Sequence, residues 1–126
     1  MVTTDVAQLS EECNSWVSNL RSFRDEFSHF KNRLQAVAGR QSNRDVLLEI
    51  EHLDNQFHIQ LINIHDLKHS IKAHGRQANH EVSSGDRQIS DDTLHWHEKL
   101  YDDYQALEQT LLELRDEFDG FIAHIR

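Results

Sequence analysis

Near its start the chain repeats an apolar side chain at alternating steps of three and four: Val6, Leu9, Cys13, Trp16, Leu20, Phe23, Phe27, Phe30, Leu34 and Val37. A seam with a mean period of about 3.5 residues fits one stripe of an α-helix and no β-strand. A helix cannot bury its own stripe, so partner helices must cover it. The chain has no proline to interrupt a long helix. The seam therefore predicts a first helix over 4–38, with Gly39 after it in the left-handed conformation that commonly ends a helix.

A second seam follows a polar break: Val46, Ile50, Leu53, Phe57, Gln60, Ile64, Leu67, Ile71, His74 and Ala78. Its spacing is also unbroken, though Gln60 and His74 put polar groups in the stripe. Ser42, with Asp45 three residues on, resembles a capping box, and the second helix is predicted over 43–81. Gly75 suits a helix end, but stopping there would leave a loop of about fifteen residues, uncommon in a compact domain. The third helix is predicted over 86–126, a start near Asp86 being preferred to Ser90, itself a good N-cap followed by Asp91 and Asp92. Its seam reads Ile89, Thr93, Trp96, Leu100, Tyr104, Leu107, Leu111, Leu114, Phe118, Phe121 and Ile125. The two successive steps of four from Trp96 to Leu100 to Tyr104 read as a stutter, which locally unwinds a left-handed supercoil.

Helices of similar length with short connections pack as antiparallel neighbours. A chain of 126 residues makes one domain. The expected fold is all-α: one domain, 1–126, of three long antiparallel helices in a left-handed coiled-coil-like bundle. Counting outward from the two turns sets Cys13 and Trp16 at the level of His65 to His69, and that level beside Glu98 to Asp102. Phe23, Phe27, Phe30, Leu53, Phe57, Leu111, Leu114 and Phe118 fall in a dry, aromatic half. Gln60, His74 and the stutter fall in the other.

With Trp16 on the first helix and Trp96 on the third, the layout resembles a spectrin-type repeat. The segments Glu12–Trp16, Phe27–Leu34 and Asn55–Phe57 are similar to a family of uncharacterised bacterial helical proteins. Both resemblances imply a three-helix fold. Neither implies an activity, a cofactor or a functional residue.

Composition narrows the function. With 13 Lys and Arg against 22 Asp and Glu, the formal charge is −9, which repels phosphate backbones and argues against nucleic-acid binding. No apolar run approaches the ~18–20 residues that span a membrane, and the first residues lack the basic start and apolar run of a signal peptide. The single cysteine, Cys13, cannot form an internal disulfide, so a reduced cytoplasmic setting is expected. Cys13 sits on the seam and reads as a small buried hydrophobe. No poised nucleophile, phosphate loop or cofactor motif is present, so no enzyme, catalytic residue or cofactor is expected.

The ten histidines are the compositional oddity. Two Glu-x-x-His pairs, Glu26/His29 and Glu49/His52, have the spacing of carboxylate-bridged di-metal bundles. Their heptad phase points them away from the core, where Phe27, Phe30, Leu53 and Phe57 stand. His65 and His69 are spaced to chelate one ion on one helix face, with His58 two turns earlier. These three are the metal candidates, weighed against histidines on a wetted face. His95 and His97 face apart on a helix and do not read as a pair.

Leu47, Leu48, Leu61 and Ile62 lie off the second seam and recur at helical spacing, with Asp54 and Asn55 between the two pairs. They form the predicted interface for a protein partner or a second copy. The expectation is a non-enzymatic interaction or scaffold module that self-associates as a homodimer. The alternative is a histidine-based metal-binding or pH-responsive module.

Overall fold

The computed structural model describes residues 6–83 and 89–125. Among these residues it has three helices and no strand: α1 Val6–Ala38, α2 Arg44–Glu81 and α3 Asp91–Ile125. They pack as an all-α three-helix bundle. Lys31 of α1 meets Asp54 of α2, whereas Cys13, far earlier in α1, clusters with His74, far later in α2, so these helices are antiparallel. Trp16 lies beside His97 and Phe30 beside Phe118, so α1 and α3 run parallel with α2 reversed against both. No described helix is long and apolar enough to cross a membrane.

The helix ends show which local signals act. Gly39 does not take the left-handed conformation. α1 instead closes through two tight turns, Arg40 N–H donating to Val37 O (3.0 Å) and Gln41 N–H to Ala38 O (3.3 Å). The cap of α2 is Asn43 and not Ser42: its Oδ1 accepts from Asp45 N (2.9 Å) and Val46 N (3.3 Å). A capping carboxamide on the helix entry satisfies two otherwise orphaned donors, and the capping-box reading of Ser42 falls away. The predicted helix ends at residues 4, 86 and 126 lie outside the described residues. Ile89 and Ser90 are described and not helical, so α3 begins at Asp91 rather than near Asp86. Ser90 caps it, its Oγ accepting from Thr93 N at 3.2 Å.

Glu81, the last residue of α2, fastens that corner. Its carboxylate accepts from Ser90 N (2.8 Å), Ser90 Oγ (3.3 Å), Gln77 Nε2 (3.0 Å) and the Thr93 hydroxyl. A negative charge is unfavourable at its own helix C-terminus and favourable at the N-terminus of α3, where it sits. The Ser90 N–H bond leads the hydrogen bonds that hold its pKa down at about 2.

The core is built in layers. Phe27, Phe57 and Phe118 have no exposed surface, and Phe30 is buried with them. Phe27 meets Phe57 edge-on at 5.2 Å, Phe57 meets Phe118 edge-on at 5.4 Å, and Phe30 stacks on Phe118 at 4.4 Å. All three helices thus contribute to one aromatic layer. Lys31–Asp54 (3.0 Å), Glu26–Arg115 (3.5 Å) and His52–Glu117 (3.3 Å) join the three helix pairs around it. Such partly exposed pairs add little energy but agree with this register.

Two expectations about the other half are corrected. The buried positions of α3 are Thr93, His97, Leu100, Tyr104, Leu111, Leu114, Phe118 and Phe121. With half-buried Leu107 they alternate in threes and fours without a stutter. The seam passes through His97, and Trp96 lies half-buried at its flank. The inter-helix register is also displaced: Cys13 meets the His74 level of α2, about a turn beyond the His65 to His69 level. The cause is the tilt of each Cα–Cβ bond toward its own helix N-terminus, which in an antiparallel pair brings together side chains whose Cα atoms are staggered.

Two predictions follow from this packing. Phe27→Ala opens a void in the aromatic layer and should cost about 3–5 kcal/mol; a denaturant midpoint reporting under about 1 kcal/mol would contradict the layer. Gly75 lies inside α2, and a Cβ built there meets nothing within 4 Å. Gly75→Ala should therefore stabilise the fold by about 0.5–1 kcal/mol in a thermal or urea melt.

Candidate functional site

Between the aromatic layer and the Glu81 corner, the seam of α2 supplies His74 and that of α3 supplies His97. Neither has exposed surface. Their rings lie 4.9 Å apart at 24°, with His74 Nε2 2.8 Å from His97 Nδ1. Trp16 stacks on His97 at 4.8 Å and Trp96 stands edge-on to His74 at 4.8 Å. The two imidazoles are thus enclosed by two indoles, one from α1 and one from α3. His97 Nε2 lies 3.1 Å from Glu12 Oε1 on α1. Cys13, the next residue, is buried, and its sulfur lies with one ring nitrogen of each histidine in a group whose atoms are all within 4.8 Å of one another.

Proton positions follow from the acceptor at the end of the row. A carboxylate only accepts, so His97 Nε2 carries a proton and donates to Glu12. With both rings neutral, His97 Nδ1 is bare and His74 Nε2–H donates to it. His74 Nδ1 is then a bare lone pair, buried and without a hydrogen-bond partner among the described residues. An orphaned buried polar atom costs about 1–3 kcal/mol. Burial first, with the charge of Glu12 adding, pushes the Cys13 thiol up to about 11, so it is protonated at neutral pH.

A groove of about 260 Å³ between α1 and α2 reaches this level. Its walls include Ser10, Cys13, Ile71, Lys72, Gly75 and Arg76. The missing side chain of Gly75 leaves this side of α2 open.

The residues singled out in the sequence lie elsewhere. His58, His65 and His69 are all exposed on α2 and belong to no described group of three candidate ligands. The Glu-x-x-His pairs are not brought together: Glu26 pairs with Arg115, His52 with Glu117, and His29 and Glu49 are exposed. Gln60 is buried and accepts from Asn63 Nδ2 at 3.2 Å. Leu47, Leu48 and Ile62 stand exposed on α2, whereas Leu61 is half-buried against the core. Ile59, passed over in the sequence, is the fourth large exposed hydrophobic among the described residues, so all four are on α2. By helical phase they point away from the core. A shallow groove of about 550 Å³ beside them is walled by Lys31, Leu48, Glu51, His52, Asn55 and His58, with Asp54 completing it.

No family model matches the chain, and neither characterised proteins nor solved structures yield a match.

The buried histidine makes the fold acid-sensitive. Burial, then the neighbouring His97, pushes His74 down from 6.5 to about 4, with Glu81 partly opposing. Between those values the unfolded chain binds a proton that the folded chain does not. The contribution is complete above about pH 6.5 and is lost as the pH falls toward 4, a change of roughly 3 kcal/mol. Urea midpoints measured across this range should fall more steeply for the wild type than for His74→Leu; parallel curves would show that His74 is not held neutral.

Proposed function

We propose that the protein is a non-enzymatic helical interaction module that pairs with a second copy of itself through the outward face of α2. The observation that carries this reading is the confinement of all four exposed large hydrophobics of the described residues to that face of one helix. Leu48 is 52% exposed and Ile62 48%. Single exposed apolar residues are ordinary, whereas a group on one helix face marks a contact surface.

The arrangement favours self-pairing. Leu48, Asn55 and Ile62 are separated by one heptad each, with the polar residue at the centre. A two-fold axis at Asn55 lays Leu48 of one protomer on the partner's Ile62, and Leu48 of the partner subunit on Ile62 of the first, as an isologous contact requires. The same axis sets Arg44 opposite the partner's Asp66, an opposite-charge pair at the rim. An asparagine at the centre of such a contact fixes register at some cost in stability.

Sedimentation of the untagged chain over a range of concentrations tests the reading. A reversible dimer is expected. Ile62→Glu, which buries a charge at the contact, should render the chain monomeric with its helicity unchanged. Arg44→Asp should weaken the dimer, and combining it with Asp66→Arg should restore it. A wild-type chain that stays monomeric at all concentrations, or a dimer indifferent to Ile62→Glu, would remove the proposal.

A further inference from the structure

The outward face of α2 does not use the row Glu12–His97–His74, whose two histidines are buried, or the thiol of Cys13. We propose that Cys13, His74 and His97 form a binding site for a soft or borderline transition-metal ion, Zn(II) or Cu(I), with Glu12 positioning His97.

The donor set argues the class of ion. One thiolate and two imidazoles suit Zn(II) and Cu(I), and they discriminate against Mg(II) and Ca(II), which take oxygen ligands. The placement of the donors argues for a site. The ligand atoms already lie within 4.8 Å of one another, on three different helices, without solvent exposure of either histidine. Around an ion with metal–nitrogen bonds of about 2.0 Å and a metal–sulfur bond of about 2.3 Å, they would be roughly 3.3–3.6 Å apart. Closure by about an ångström therefore completes the site.

Three further features fit a ligand rather than a plain polar core. The first is the Glu12 carboxylate on His97 Nε2 at 3.1 Å. Histidines that bind metals characteristically donate their second ring N–H to such a group, which fixes the tautomer and the ring angle. It leaves His97 Nδ1 as the metal-binding atom. The second is the orphaned nitrogen of His74, a buried lone pair that the protein itself does not use. The third is the groove that meets Cys13 beside Gly75 and gives the ion a path in.

The balance of the binding step is simple. A metal–sulfur bond and two metal–nitrogen bonds form, the hydrogen bond between the imidazoles breaks, and the Cys13 thiol releases one proton to solvent. Each ring keeps its one proton, His97 on Nε2 and His74 on whichever nitrogen does not bind. Nothing is oxidised or reduced. Three protein ligands saturate Cu(I) in trigonal geometry, whereas Zn(II) takes a fourth ligand, for which the groove side of Cys13 provides room.

The test uses the full-length, untagged chain, reduced and stripped of metal. Co(II) is the spectroscopic probe for Zn(II), and Zn(II) and Cu(I) are titrated separately against chelators of known affinity. One equivalent should bind, Co(II) should show thiolate-to-metal charge-transfer absorption, and the preferred ion should raise the melting temperature. Cys13→Ala, which keeps a small apolar side chain on the seam, should abolish the charge-transfer band while leaving helicity and the urea midpoint near those of the wild type. Glu12→Gln should weaken binding by about 10–100-fold without removing the band. Replacing His58, His65 and His69 together by glutamine should leave the tight equivalent intact. The tighter of the two competitions names the ion. A Co(II) spectrum without thiolate character, binding indifferent to Cys13→Ala, or binding lost with the three surface histidines would each overturn the assignment. A chain that is monomeric yet binds one equivalent would sink the self-pairing proposal and leave this one standing.

Discussion

Phe27, Phe30, Phe57 and Phe118 bring all three helices to one height, and their packing sets the register in which every other side chain meets its neighbours. A heptad seam by itself tolerates sliding by whole turns, because one apolar residue replaces another at each step. Large flat rings packed edge to face do not slide in this way, since each fits only the gap left by the others. The polar pairs Lys31–Asp54, Glu26–Arg115 and His52–Glu117 stand around the same layer and agree with it. With the register set there, the rigidity of the helices carries it along the bundle to Cys13, His74 and His97, a distance no local contact spans.

The helices of the bundle were legible because a period of 3.5 survives almost any substitution of one apolar residue for another. The site was not, for reasons that belong to particular residues. His74 stood out in the second seam because its neighbours in the stripe are apolar. Its partner did not, because Trp96 beside His97 is the more hydrophobic of the two and drew the third seam one residue aside. The unbroken alternation of threes and fours through His97 was the signal that could have found it: a stutter is needed only if the tryptophan is put inside. The level at which Cys13 meets α2 also departs from equal counting from the turn, which ignores the backward tilt of side chains. The entry of α2 falls at Asn43 and not at Ser42 for a smaller reason. Ser42 and Asn43 are both good caps, and the choice between them rests on backbone geometry that composition does not encode.

Polar groups in this core are unevenly distributed, and that unevenness divides the bundle. Near the aromatic layer, interior positions are filled by phenylalanine and leucine with no polar atom to satisfy. Toward the other end lie Gln60, Lys68, His74, Thr93 and His97, and among the described residues only His74 keeps a fully buried side-chain nitrogen without a partner. A leucine at that position would remove this orphan and leave another, His97 Nδ1, which accepts from His74. The chain also places Glu81 where its charge serves the helix after it, so the polar end is tied by directed bonds where the other is tied by packing.

Both tryptophans of the chain lie against this imidazole pair, Trp16 on His97 and Trp96 on His74. Their emission therefore samples one end of the molecule only, while far-ultraviolet dichroism averages over all three helices. Imidazole rings in contact with indole alter its fluorescence, and they do so differently when neutral, protonated or bound to an ion. The protein thus carries its own optical probe of the polar end, with no label required. Where the two signals change together, the bundle opens as one unit; where fluorescence moves first, the end around His74 and His97 parts while the phenylalanine layer still holds.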